Sequence, residues 1–429
     1  MKGDVHSHGL WEASAPPAPA TPALEGEAPA VDAAVVGAGY TGLSAALHLR
    51  EGGARVAVLE AQDVGFGGSG RNVGLVNAGL WITPQTVLQT AGPVHGPRLL
   101  QCLGEAPSLV YTLIDQHGID CQAQRHGTLH CAVGRQGLRN IETRWRQWKD
   151  LGAPVELLDA RAIALATGCA AYAGGLRDLR AGTVQPLAYA RGLAHAAVGA
   201  GAHLYTNSRV TGVQDRQTHW RLQTAQGRID AKWIIVATDA YTDGPWSALQ
   251  REQIRLPYFN MATAPLSERL RARILPNGEG AWDTRQVLSS FRLDQAGRLV
   301  FGSVGALRGG ASHRIHADWG RRALARLFPE LGHVTFEYAW YGQIGMTTNA
   351  LPRFHTLARN TVAIAGYNGR GIAPGTALGR ELARLVLGQI DASDLPLPTT
   401  TPDHPPFKPA REAFYEYGAL AAHAGGGWV

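Results

Sequence analysis

The sequence predicts an α/β chain built around a dinucleotide-binding strand–helix–strand unit. Three observations predict it. Val31 to Glu60 reads as a strand, a glycine turn, an amphipathic helix and a second strand ending in an acid. Trp233 to Thr238 (WIIVAT) is an unbroken apolar run, as in a strand buried on both faces of a parallel sheet. A short strand, Val362 to Ala365, leads through a glycine-broken turn into a final helix, Thr376 to Leu387.

The first strand, Ala33 to Val36, runs into G-x-G-x-x-G at Gly37, Gly39 and Gly42. Gly37 permits the tight turn, Gly39 lets backbone approach a pyrophosphate, and Gly42 allows helix and sheet to pack closely. The helix N-terminus then offers free N–H groups and the positive end of its dipole to phosphate. The second strand, Arg55 to Leu59, ends at Glu60, where a carboxylate can accept from ribose hydroxyls. A purely structural strand–helix turn would not need that acid.

After Glu60 come six glycines between Gly65 and Gly79, too many for a stable helix and suited to close passage against something. Pro97 to Ile119 reads as a helix, Arg125 to Val133 as a strand, and residues 137–150 as a helix with a polar face. Gly182 to Gly199 reads as a helix with Pro186 near its first turn, where proline is tolerated. Strands follow at His203 to Val213, Trp220 to Thr224 and Arg228 to Ala237. Residues 246–340 are mixed, with strands at Val287 to Leu293 and Arg298 to Ser303 and a helix at Asp318 to Phe328. The Pro/Ala-rich start reads as an extended, flexible arm that includes His6 and His8, and the tail after Leu395 is proline-rich until Pro409.

Composition narrows the function. At 429 residues there is core enough for two to three domains. The net charge of +6 comes from scattered arginines, with no basic run interleaved with aromatics, which argues against a nucleic-acid partner. Cys102, Cys121, Cys131 and Cys169 show no C-x-x-C spacing and read as free thiols in a reducing compartment. No apolar run reaches membrane-spanning length and no signal core is present, so the expectation is a cytoplasmic protein. The 16 histidines show no metal-ligand spacing, so no metal site is expected.

The first unit, the GGSGRNVG loop (Gly67 to Gly74), IIVATDAYT (Ile234 to Thr242) and GYNGRGIAPGTALGRELA (Gly366 to Ala383) resemble the FAD-dependent D-amino-acid oxidase/glycine oxidase superfamily. The SGRN loop and the GYNGRG turn look most like its gamma-glutamylputrescine oxidase-like branch. The resemblance implies a Rossmann-like FAD-binding domain from residues 31–90, 175–245 and 341–390. An α+β substrate domain with a large antiparallel sheet, residues 91–174 and 246–340, would interleave with it. An arm, 1–30, and a tail, 391–429, would flank the two. Gly37, Ala38, Gly39, Tyr40, Thr41 and Gly42 would then hold the pyrophosphate, and Glu60, with Ala61 beside it, the adenosine ribose. Gly68, Ser69, Arg71, Asn72, Val73 and Gly74 would line the flavin and its ribityl chain. Val210 would meet the adenine by main chain, while Ala237 and Thr238 closed over the pyrophosphate. Gly366 would open the last turn, and Gly369, Arg370, Gly371 and Ile372 would sit at the C2 edge of the isoalloxazine. An independent reason supports that edge. A reduced flavin carries negative charge at N1 and C2=O, and a glycine-rich turn opening a helix aims N–H groups there. A plain turn is the alternative.

The implied reaction is hydride transfer from an amine-bearing carbon to flavin N5, the imine then hydrolysing in water. The protein must hold the C–H in place and keep the amine neutral, and needs little acid/base chemistry of its own. Asn368 and Arg370 in the turn are candidates to act in that reaction. Trp340 and Tyr341 would lie near the substrate face, although such a pair equally suits a core. Arg292 would present a charge to the flavin or to a substrate carboxylate, or lie solvated on its strand. Arg353 is a weaker candidate of the same kind, and Asn349 stands where the family often has an acid. The covalent flavin links of relatives use a cysteine in the C-terminal third or a histidine after the ribose acid. All four cysteines precede residue 170 and Ala61 to Thr90 holds no histidine, so FAD is expected to bind without a covalent link. A small-molecule amine or amino acid is the expected partner. An NAD-dependent dehydrogenase would use the first unit but leave the SGRN loop and GYNGRG turn without a purpose. A non-catalytic flavin-binding or assembly protein stays open.

Overall fold

The computed structural model describes residues 8–425; His6 lies outside them. Six elements set the frame: β1 (Val31–Val36), α1 (Tyr40–Glu51), β2 (Val56–Leu59), β3 (Gly227–Val236), β4 (Thr361–Ala365) and α2 (Ile372–Val386). The four strands belong to a sheet of ten strands among the described residues, in which β4, β3, β1 and β2 lie side by side and parallel. Val35 faces Val58 on one side and Ile235 on the other, and Ile235 faces Val362. All four are buried, which is why these strands read as apolar runs.

At the end of β1 the chain turns at Gly37, with φ 105°, where a Cβ would stand 2.9 Å from Ala237 O. No L side chain fits there. Gly42 lets α1 start hard against that turn, since a Cβ on it would lie 2.0 Å from Gly37 O. α1 also crosses α2 at close range. A Cβ on Gly379 would lie 2.4 Å from Thr41 O. Ser44 Oγ donates to Thr376 O at 2.7 Å, and Thr41 Oγ1 and Tyr367 OH share a bond of 2.5 Å.

The second sheet has eight strands among the described residues, drawn from residues 128–178 and 254–346. Its neighbours are antiparallel except Gly280–Asp283 beside Thr128–Ala132. Alternation along its strands divides its side chains. Phe259, Phe291 and Phe301 join Trp319 and Phe328 in a core under the helix Gly309–Leu327. Leu256, Tyr258, Trp282 and Ser290 take the opposite parity and face the cavity described below.

Several expected boundaries move. The helix expected from Pro97 begins at Pro84 and is broken at Gly92, whose φ of 76° interrupts it. The helix expected from Thr376 begins at Ile372, and it is not the last, since Lys408–Ala424 is helical with Pro409 in its first turn. The expected division between residues 340 and 341 falls inside one strand, Phe336–Met346. The stretch read as an extended, flexible arm holds a helical turn, Leu10–Ser14, with Leu10, Trp11 and His8 buried; apolar anchors outweigh its proline content.

The crossing of α1 and α2 gives a direct test. Gly379→Ala should cost about 1–3 kcal/mol by overpacking against a backbone that has little room to move. Gly310→Ala, in a helix where a Cβ meets nothing within 4 Å, should be neutral or slightly stabilising. Denaturant melts of the two variants check the contrast; equal midpoints would show that the crossing tolerates the extra methyl.

Candidate active site

The carboxyl ends of β1, β3 and β4 open on one cavity of about 520 Å³, a size ordinary for a small-molecule site. Two helix N-termini point into it. Gly39 caps α1 and Gly371 caps α2 without a side-chain hydrogen bond, and both line the cavity. Tyr40 N–H donates to Ser69 Oγ at 3.1 Å. No described residue accepts from the N–H groups of Thr41, Gly42, Ile372 or Ala373. Unclaimed N–H groups at two converging dipoles make a strong site for negative charge.

Glu60 sits at one end. Its carboxylate accepts from Ala38 N–H at 2.7 Å and Gln62 N–H at 2.9 Å. Burial pushes its pKa up, and these N–H bonds oppose the shift. Ala61, Val210, Ala237 and Thr238 line the same stretch. The SGRN loop forms the next wall and is organised by Asn72, whose Nδ2 donates to Gly68 O and Ser69 O at 3.0 Å each. Asn72 Oδ1 accepts from Gly74 N–H at 2.8 Å, at a residue with φ 87°. Gly68, Ser69, Arg71, Asn72 and Val73 reach the cavity, and the Arg71 guanidinium lies 4.6 Å from the centre of the Phe66 ring. Ala38, Gly42, Gly74 and Gly366 support the wall from behind rather than line it.

The far end is made by the turn before α2. Asn368, at φ 51°, accepts from Thr347 N–H at 2.9 Å and so ties the turn to the strand Phe336–Met346. Asp239, at φ 42°, accepts from Gly366 N–H at 2.7 Å, and burial pushes its carboxyl up to about 6. Gly369 carries the positive φ of the turn, 83°, whereas Gly371 has φ −100°. Gly371 therefore does not need the left-handed region. What glycine provides there is space, because a Cβ on Gly371 meets nothing within 4 Å.

Beside this turn lies an aromatic chamber. The Arg370 guanidinium is 4.3 Å from the ring centre of Trp282 and 5.0 Å from that of Trp81. Burial, together with the positive charge of Arg144, lowers its pKa to about 9. Arg144 donates to Leu80 O and Ile82 O at 3.3 Å each and so fixes the Trp81 segment. His130 stacks on Trp282 at 3.3 Å, and burial holds it neutral, its pKa well below the usual value. Each cation–π contact returns about 2 kcal/mol where water is excluded, against several kcal/mol for removing a charge from water. The aromatic rings alone do not balance Arg370.

Trp340, Tyr341 and Arg292 do not line the cavity, which corrects their expected places. Trp340 is fully buried behind the SGRN loop, its Nε1 donating to Arg71 O at 3.1 Å and its ring against Trp11. Tyr341 joins the core of the second sheet and reaches the loop only through its carbonyl, which accepts from Arg71. Arg292 is buried with its guanidinium donating to the carbonyls of Gly74, Val184 and Leu293. Arg353 pairs with the buried Glu252 at 2.7 Å, and Asn349 accepts from Leu351 N–H in a turn. The sequence reading missed Trp81, Trp282, Tyr258 and Asp239. Asp239 stands inside the ATDAYT motif and Trp81 at the end of the glycine loop, so both had a signal; Trp282 and Tyr258 had none.

A family model described as FAD dependent oxidoreductase (DAO) matches residues 32–385. The chain belongs to this family. It is therefore an FAD-dependent oxidoreductase. The chain is 34% identical to gamma-glutamylputrescine oxidoreductase of Escherichia coli (strain K12) over 370 residues, 85% of each protein. It is 25% identical to glycine oxidase of Geobacillus kaustophilus (strain HTA426), covering 85% of this chain and 95% of that protein. The crystal structure of glycine oxidase from Geobacillus kaustophilus superposes with a TM-score of 0.68 at 20% identity, covering 84% of this chain and 95% of that one. That of L-proline dehydrogenase from P. horikoshii gives 0.68 at 16% identity, covering 94% and 99%. FAD fits the residues present: the cavity joins a carboxylate end at Glu60, unclaimed N–H groups at both helix starts, and open space at Gly371.

Gly39 makes the fit testable. A Cβ there would stand 2.8 Å from Ser69 Oγ, at the mouth of α1. Gly39→Val should purify colourless with an unchanged far-ultraviolet circular dichroism spectrum, whereas yellow, fully loaded protein would rule out this part of the cavity as the FAD site.

Proposed function

We propose that this enzyme oxidises the CH–NH bond of a small amine or amino acid, the class that the names of its relatives indicate. The observation that carries the reading is the aromatic chamber of Trp81, Trp282 and Tyr258 opening directly beside the turn Asn368 to Ile372. When bound, FAD supplies the two-electron acceptor, taking a hydride at N5. The chain's own work is to bind, orient and shield. The N–H group of Thr41 would meet the pyrophosphate, Glu60 would accept from ribose hydroxyls, and the SGRN loop would support the flavin ring. Pro374 offers no N–H at the third position of α2, so Ile372 and Ala373 are the donors left that would face negative charge on the flavin. The aromatic walls of the chamber exclude water from the space beside the turn. No cysteine or histidine is among the described lining residues, in keeping with non-covalent FAD. No described helix is long and apolar enough to cross a membrane. The four cysteines are free, as a cytoplasmic enzyme would have them.

Anaerobic mixing with a panel of polyamines, N-methyl amino acids and D-amino acids tests the reading. At least one class should bleach the yellow colour in a saturable way; a flavin that dithionite reduces but no amine does would refute it. Acid precipitation should leave the colour in the supernatant, and colour in the washed pellet would mean a covalent bond. Fully loaded Gly371→Val should be reduced about a hundredfold more slowly, because its side chain fills the space through which the α2 donors reach the cavity. An unchanged reduction rate would detach this turn from the chemistry.

A further inference from the structure

The helix Lys408–Ala424 lies outside residues 32–385, which the family model matches, and packs beside the helix Gly309–Leu327. It is turned inside out. Its polar side chains hold it to the protein: Glu412 accepts from Arg255 N–H at 2.9 Å, Glu416 pairs with Arg308 at 3.0 Å, and His423 meets His316 at 2.7 Å. Its apolar side chains face outward. Phe407 at the N-cap, Ala410, Phe414, Tyr417, Ala421 and Ala424 are all exposed, the three aromatics by 80%, 73% and 67%. Their spacing, alternately three and four residues, is the seam of a helix that packs against another helix. A face laid down for lipid would be wider and flanked by cations. The positions beside this seam are Arg411, Ala413, Gly418 and Leu420, of which only Arg411 is charged. Its guanidinium has no hydrogen bond or ion pair with any described residue.

We propose that this seam pairs with the same seam on a second copy of the chain, the two helices running antiparallel about a two-fold axis at Tyr417. Size decides the direction. The seam is large at its start and small at its end, so an antiparallel pair sets Phe414 over Ala421 of the second copy and Ala410 against its Ala424. A parallel pair would set Phe against Phe at one end and alanine against alanine at the other, leaving a gap there. Charge agrees. The antiparallel pair brings Arg411 to the last turn of the second copy's helix, the negative end of its dipole. The axis makes this contact twice and sets no charged seam residue against itself. Area agrees too. An aromatic side chain covers roughly 200 Å², so at these exposures the three leave on the order of 450 Å² uncovered. With the alanines, two copies come close to the ~1,200 Å² at which stable interfaces begin.

Sedimentation velocity of the flavin-loaded enzyme tests the pairing, and a dimer is expected at micromolar concentration. Phe414→Glu should raise the dissociation constant about a hundredfold or more, because the axis enters the change twice. Its flavin spectrum and anaerobic reduction rate should stay as they are, since Phe414 lines neither the cavity nor the core of the second sheet. An unsubstituted enzyme that sediments as a monomer, or a dimer that Phe414→Glu leaves intact, overturns the proposal. A cross-link decides the pairing even where the charged variant fails to fold. Tyr417→Cys, at the axis, should give a disulfide-linked dimer in air that the unsubstituted enzyme does not. Ala424→Cys, held roughly 20 Å from its own copy, should stay unlinked. No link at Tyr417→Cys, or equal linking at both positions, overturns the antiparallel pair. The enzyme should not sediment with vesicles of phosphatidylglycerol and phosphatidylcholine. Co-sedimentation that Phe414→Glu abolishes would give the seam to lipid and overturn the pairing.

Discussion

The rest of the structure depends on how closely α1 and α2 cross. Each helix follows a strand in the parallel centre of one mixed sheet, and each begins beyond the end of its strand. Side chains at Gly375 or Gly379 would hold the two apart; a Cβ on Gly375 already comes within 3.1 Å of Thr41 Oγ1. With glycine at both, the helices lie backbone to backbone, locked by Ser44 to Thr376 and Thr41 to Tyr367. Their two N-termini then open on the same space, and a long anionic ligand can meet both dipoles at once.

This convergence explains how the cavity treats charge. Its wall is electropositive by construction, from helix starts as well as Arg71 and Arg370, and the acids in it are admitted only with N–H or guanidinium partners. Glu60 and Asp239 play similar parts at opposite ends. Each is a buried carboxylate whose pKa burial raises, and each fastens a turn by accepting a backbone N–H. Asp239 does so from a backbone in the left-handed region, a strained conformation for a residue with a Cβ. Strain of this kind persists only where the surroundings hold it in place.

The dinucleotide half of the site was legible in the sequence because it is local. Gly37, Gly39, Gly42 and Glu60 lie within one strand–helix–strand unit, and the spacing that marks the motif also builds the geometry. The aromatic half was not legible. Trp282 faces the cavity because Gly280–Asp283 pairs in a particular register with Thr128–Ala132, far away in the chain, and a one-residue slip would turn it to the other face. Trp340 and Arg292 show the converse. Both residue types suit an active site, but their strands deliver them to the back of the SGRN loop, where they brace its carbonyls. Residue type alone cannot tell a wall from its support.

Trp11 gives that support a temporal side. Its Nε1 donates to Asn72 O at 2.8 Å, Gln185 Nε2 donates to its carbonyl at 2.9 Å, and its ring meets Trp340 edge-on. During synthesis Trp11 emerges long before Trp340, so the contact between the two indoles must wait until the strand Phe336–Met346 has followed. The loop it underpins can settle only then. Assembly of the flavin cradle is thus coupled to synthesis of the strand Phe336–Met346, and a polypeptide released before it would carry the glycine motif intact and lack the brace beneath it.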